Sequence, residues 1–155
     1  MEYFSISMEL DEKDMKILDI LKSNAKLTTH KISKKLAIPI TTVHNRIKKL
    51  EKLGIIKKYT VELDYKKLDM GLLAYITVTV TYTAPSGKRL HQEDIAKHIK
   101  KLRGVEEVDI VAGITDILVK VRLKDIDELN DFVIRKLREI EGVDKTQTLV
   151  VMSSV

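Results

Sequence analysis

Residues 27–58 read LTTHKISKKLAIPITTVHNRIKKLEKLGIIKK, two short helical patterns separated by Ala37-Ile38-Pro39. Proline cannot continue a helix, since it lacks an N–H and its ring clashes with the preceding turn, so the tripeptide must turn the chain. Thr28 or Thr29 can cap the first of these helices, which ends at Leu36 with Ile32 and Leu36 turned inward. The second spans residues 40–53, where Val43, Ile47 and Leu50 recur at i, i+4 and i+7, and Gly54 supplies the left-handed residue that stops it. Upstream, residues 10–24 form another helix, capped by Asp11, with Asp14 in the first turn where the helix dipole favours an acid. Ile17, Leu18 and Leu21 are its apolar stripe, and residues 55–61 alternate as a wing strand would. Three short helices with one tight turn and a wing describe a winged helix–turn–helix.

The charge falls on this same segment. From Lys26 to Lys58 there are ten Lys and Arg against one acid, Glu51, a net of +9, whereas the whole chain carries only +5. A compact basic module of this kind is the electrostatic footprint of a double-stranded DNA binder. With Val43, Ile47 and Leu50 in the core, the last helix turns Thr41, Thr42, His44, Asn45, Arg46, Lys48 and Lys49 outward, and the wing adds Lys57 and Lys58. Hydroxyls and lysines suit phosphates, while Asn and Arg can bond bidentately to adenine and guanine edges. Recognition helices touch bases mainly with their first turns, which ranks Thr41, Thr42, Asn45 and Arg46 above Lys48 and Lys49 as base contacts.

The rest of the composition excludes more than it assigns. Cysteine is absent, which removes disulfides, thiolate nucleophiles and cysteine-bound zinc. No apolar run approaches the roughly 18 residues of a membrane span, and the N-terminus lacks a signal peptide's basic start and apolar middle; no membrane role and a cytoplasmic location are expected. His30 and His44 fall inside the basic module. His91 and His98 share a helix without a third ligand at useful spacing, so no metal site is expected. Without a phosphate-binding loop, a dinucleotide fingerprint or a nucleophile motif, no catalytic residue, no cofactor and no enzymatic activity are expected. Lysine outnumbers arginine 22 to 6, a usage that fits a hyperthermophile and equally an AT-rich genome.

Beyond residue 64 the periodicity changes. Residues 72–82 alternate and are rich in β-branched side chains, residues 83–90 hold Pro85, Ser86 and Gly87 and form a loop, and residues 92–103 are helical with Ile95, Ile99 and Leu102 inward. Two strands, 105–112 and 117–123, flank the turn Gly113-Ile114-Thr115-Asp116. Asp125 caps a second helix with Glu128 at the capping-box position, and residues 143–152 close the chain as a strand. Leu102-Arg103-Gly104-Val105 and Ile140-Glu141-Gly142-Val143 occupy equivalent places, each ending a helix at a glycine before a strand. This order is β-α-β-β-α-β, a ferredoxin-like split βαβ domain. The fold class is therefore α+β: an N-terminal tail (1–8), a winged helix–turn–helix (9–63), a linker (64–71) and a ferredoxin-like domain (72–155). Apolar side chains on strands 72–82 and 105–112 exceed what two helices can cover on one sheet face, which predicts a homodimer through the sheet.

The two halves together resemble the Lrp/AsnC, or feast/famine, transcription regulators of bacteria and archaea. The resemblance runs from residue 8 to residue 151 and is carried by LDEKDMKIL at 10–18, by TTVHNRIKKLEKLGIIK at 41–57 and by the domain order. It implies an archaeal regulator with a DNA-binding winged helix–turn–helix and an effector domain that pairs sheets into dimers and gathers dimers into rings such as an octamer. Members bind an amino acid between dimers near a Gly-x-aromatic-Asp loop, matched here by Gly113 and Asp116 with Thr115 in place of the aromatic. In that reading a backbone amide meets the ligand carboxylate and Asp116 its ammonium, and Thr115 favours a polar ligand over a leucine-like one. Pro39 stands where the family often has a serine cap. The competing expectation is a stand-alone metabolite sensor that regulates an enzyme, which leaves the basic half unused.

Overall fold

The structure is a computed structural model that describes residues 10–153, and the expected tail at 1–8 lies outside the described residues. The chain divides into two compact units, at residues 62 and 63.

The first unit holds α1 (Glu12–Ser23), α2 (Thr29–Leu36) and α3 (Ile40–Lys52). Each boundary has a local cause. Asp11 caps α1 in a reciprocal capping box, accepting from the Asp14 N–H while the Asp14 carboxylate accepts from the Asp11 N–H. Thr28 caps α2. Ala37 then takes the left-handed conformation (φ 53°), and the Ser33 hydroxyl donates to the Ile38 carbonyl at 2.6 Å across the turn. Pro39 precedes α3 with no side-chain cap, the consequence of having a proline there. At the far end Gly54 (φ 70°) donates to the Glu51 carbonyl and Ile55 to the Leu50 carbonyl, the paired bonds of a Schellman stop. Ile17, Ile32, Val43 and Leu50 are fully buried where the helices meet, each contributing about 1.5–3 kcal/mol of apolar burial.

The wing differs from expectation. Ile55 and Ile56 pack against this core, but residues 55–61 form no strand, and the Tyr59 hydroxyl bonds instead to Glu51 at 2.9 Å. A strand needs a neighbour to complete its ladder, and none of the described residues of this unit supplies one.

The second unit holds β1 (Leu72–Val80), α4 (Gln92–Lys100), β2 (Val105–Ile110), β3 (Ile117–Leu123), α5 (Ile126–Asp131) and β4 (Val143–Val150). Its four antiparallel strands lie in the order β2-β3-β1-β4, as in a ferredoxin-like sheet. Asp125 caps α5 as expected, although the Glu128 carboxylate reaches the Lys124 N–H rather than that of the cap, and α5 continues as a π-helical segment, Phe132–Leu137. The core lies between sheet and helices, with Ile76, Val78, Ile99, Val119, Val121, Phe132 and Leu137 at its centre. The repeated glycines are packing positions: a Cβ on Gly104 would lie 2.6 Å from Leu123 Cδ2, and one on Gly142 2.5 Å from Ile95 Cδ1.

Residues 64–71, expected as a linker, belong in space to this unit. Tyr65 lies beneath the Arg122 guanidinium, 3.9 Å from ring centroid to Cζ, and Arg122 pairs with Glu106 at 2.7 Å. The apolar excess expected on β1 is also smaller than its composition suggests. Ala74, Ile76, Val78 and Val80 all turn to the helices, so the open face presents Leu73, Tyr75, Leu118 and Leu149 among Thr77, Thr79, Lys120 and Arg122.

Candidate nucleic-acid interface

Helical geometry sorts the residues of α3. At about 100° per residue, Thr41, Asn45, Lys48 and Lys52 form one stripe opposite Val43, Ile47 and Leu50. These four are exposed, as are the flanking His44 and Lys49, while Thr42 is half-buried at the stripe's edge. Lys48 shares an exposed ion pair with Glu51 at 3.2 Å, a contact worth little in water. Lys57 and Lys58 follow, both exposed. Sequence reasoning left Lys52 out of this face, though the same angular count includes it. Exposed Lys31, Lys34 and Lys35 of α2 add to the positive charge of the unit.

Arg46 is the correction. It lies about 60° from Val43 and about 40° from Leu50 around the helix, on the core side of the stripe. Its Nη1 is 2.6 Å from Asp11 Oδ1 and 2.7 Å from Asp14 Oδ1, so the side chain is largely covered rather than outward. Asp14 is 1% exposed, and this guanidinium neutralises its carboxylate. The Arg46 hydrogen bond, with the Asp14 N–H next, holds the Asp11 carboxyl below its ordinary range. Asp11 and Asp14 thus serve at once as the cap of α1 and as the clamp on α3. Sequence reasoning identified the cap and missed the clamp; the angular position of Arg46 was the available signal.

The loop at 113–116 is built differently from the ligand contact expected of it. A bulge in β1 between Thr79 and Val80 interrupts the ladder there, and Asp116 Oδ2 accepts the Val80 N–H at 2.9 Å. Asp116 Oδ1 accepts from the Tyr82 hydroxyl at 3.1 Å, and that hydrogen bond raises the Tyr82 pKa above its ordinary value. The Thr115 hydroxyl donates to the Val78 carbonyl at 3.0 Å, and the Gln92 amide donates to the Asp116 carbonyl at 2.7 Å. These side chains fix the hairpin. What faces outward is Gly113, with φ 137° and open space around its Cα, and Ile114, which is fully exposed.

Comparisons with known proteins agree on both units. The winged helix-turn-helix DNA-binding profile matches residues 10–57, and the Lrp/AsnC ligand binding domain matches residues 73–155. An uncharacterised HTH-type transcriptional regulator of Pyrococcus furiosus is 49% identical over 91% of each chain. Among solved structures, a Neisseria meningitidis transcriptional regulator in complex with L-Met superposes with a TM-score of 0.85 at 29% identity, covering 94% of this chain and 92% of that one. Escherichia coli AsnC superposes with a TM-score of 0.80 at 25% identity, over 94% and 93% of the two chains. With a DNA-binding helix–turn–helix joined to this ligand-binding domain, the chain belongs to the Lrp/AsnC family of transcription regulators.

Proposed function

We propose that this regulator acts as a homodimer, assembled further into rings such as an octamer, on a roughly palindromic operator, and that an amino acid tunes its binding. The observation that carries the DNA reading is the α3 stripe, in which Thr41 and Asn45 lie beside Lys48 and Lys52 on one exposed face. One such helix spans only a few base pairs, so two related by a dyad are needed for an operator. Asn45 is then the base reader, Thr41 and Thr42 serve the first turn, and His44, Lys48, Lys49, Lys57 and Lys58 meet phosphates. Arg46 positions the helix.

The open sheet face, with Leu73, Tyr75, Leu118 and Leu149 among paired charges, favours a second copy over a purely apolar partner. The complex of the Neisseria regulator with L-Met supports an amino-acid effector. The internal bonds of Thr115 and Asp116 support a loop-shaping role for them, with the main chain at Gly113 and Ile114 offered to the ligand. The chain acts by binding rather than by catalysis, and works on DNA in the cytoplasm.

Sedimentation of the full chain at micromolar concentration tests the assembly: a dimer or larger species is expected, and a folded monomer contradicts it. Calorimetry against each protein amino acid tests the effector. Binding of at least one, weakened in Asp116→Ala, supports this reading; heat from none makes the regulator constitutive.

A further inference from the structure

A second candidate site lies in the C-terminal unit and shares no residue with the 113–116 loop. One wall is the segment expected as a plain loop, which is instead a small hairpin. Thr83 pairs with Arg89, the Ala84 N–H donates to the Lys88 carbonyl at 2.8 Å, and the Gly87 N–H donates to the Ala84 carbonyl at 2.9 Å. Main-chain bonds therefore hold Lys88 and Arg89 in place. The other wall is α4 and the turn after it, carrying His91, Asp94, Lys97, His98 and Lys101.

Between them is a cleft of about 760 Å³ whose floor is Leu90, Ile95, Leu102 and Ile140. The turn at Gly142 presses on that floor, its missing Cβ allowing an approach that would otherwise bring it within 2.5 Å of Ile95 and 3.0 Å of Leu90.

Charge is concentrated here. Residues 65–155 together carry 15 basic and 14 acidic side chains, a net of +1. The cleft alone has Lys88, Arg89, Lys97 and Lys101 against Asp94 and Glu141, a net of +2 before either histidine is protonated. Lys97 is taken up by Asp94 at 3.3 Å. Lys88, Arg89 and Lys101 make no ion pair among the described residues, so three cations stand over an apolar floor with only Glu141 opposed to them.

A free amino acid would fill only a small part of this volume and leave most of the cationic rim without a counter-charge. A phosphorylated molecule with a planar, weakly polar body fits both features, since Arg presents a fork that matches phosphate oxygens, Lys adds point charge, and ligand sites of this size pair apolar walls with a few charged groups. We propose that the cleft binds a nucleoside phosphate, with its phosphoryl groups on Lys88, Arg89 and Lys101 and its base on the floor at Leu90, Ile95 and Leu102. The regulator would then have an input separate from the amino acid.

Calorimetry of the full chain with ADP tests this, with adenosine and inorganic pyrophosphate as separate arms and the double variant Arg89→Glu/Lys101→Glu as control, its folding checked by circular dichroism. Saturable ADP binding is expected, with adenosine and pyrophosphate each at least about tenfold weaker and ADP at least about tenfold weaker on the double variant. Equal ADP affinity in wild type and variant, no heat with ADP at millimolar concentration, or pyrophosphate or adenosine binding as tightly as ADP would overturn the assignment. So would a double variant that loses duplex DNA affinity while ADP fails to compete with DNA, because the cleft would then be a second DNA contact.

Discussion

Arg46 shows how one side chain can carry the chemistry of a reader and the geometry of a clamp. Its type and its place in a basic helix suggest a contact to guanine, yet two carboxylates hold it, and one of them is almost wholly buried. Removing one partner of a buried pair strands the other, at a cost of about 3–5 kcal/mol, lowered here to about 2–4 because Asp11 is half exposed. Arg46→Ala should lose that much stability in urea denaturation, and a loss below about 0.5 kcal/mol would contradict the clamp. The pH dependence follows from Asp11. Its carboxyl has a lower pKa folded than unfolded, so its contribution is complete above the ordinary aspartate range and is lost as pH falls through the folded value. Asp11→Asn should therefore melt below wild type at neutral pH, and the gap should narrow as pH falls below the ordinary aspartate range. A gap that persists in acid would assign the effect to something other than the charge.

At the scale of elements, most of what depended on neighbours along the chain was legible in the sequence. Asp11, Thr28, Gly54 and Asp125 each mark a helix end through contacts a few residues away, and the alternation of β3 and the buried stripes of α3 and α4 needed only periodicity. The absence of a wing strand, the hairpin at 83–89 and the burial of β1's apolar side were not, because each depends on what lies across from it. The helix–turn–helix turn is a local device and can be tested as one. Ser33 closes it with a side-chain bond to Ile38, and its main chain accepts the Ile38 N–H at 3.2 Å. Ser33→Ala should cost about 1 kcal/mol, the net worth of one such hydrogen bond, read as a lower thermal midpoint. An unchanged midpoint would mean that Ala37 and Pro39 set the turn without it.

At the scale of the molecule, the candidate site was legible as a basic helix but not as a set of roles. Thr41, Asn45, Lys48 and Lys49 could be placed on the exposed face from one helix's angles, whereas the contacts of Arg46 required the position of α1, and those of Asp116 the bulge in β1. The division of labour proposed for α3 is the central claim: Asn45 to read a base, Lys48 to hold phosphate, and Arg46 to position the helix. Lys48→Ala should weaken all duplexes alike and flatten the salt dependence by about one unit, leaving the preferred sequence intact. The most direct measurement is selection from a random duplex pool by wild type and by Asn45→Ala. Wild type should recover a roughly palindromic sequence. Asn45→Ala should lose preference at one position in each half-site, with about 1–3 kcal/mol less discrimination there. The same operator recovered at full strength by Asn45→Ala would contradict the account.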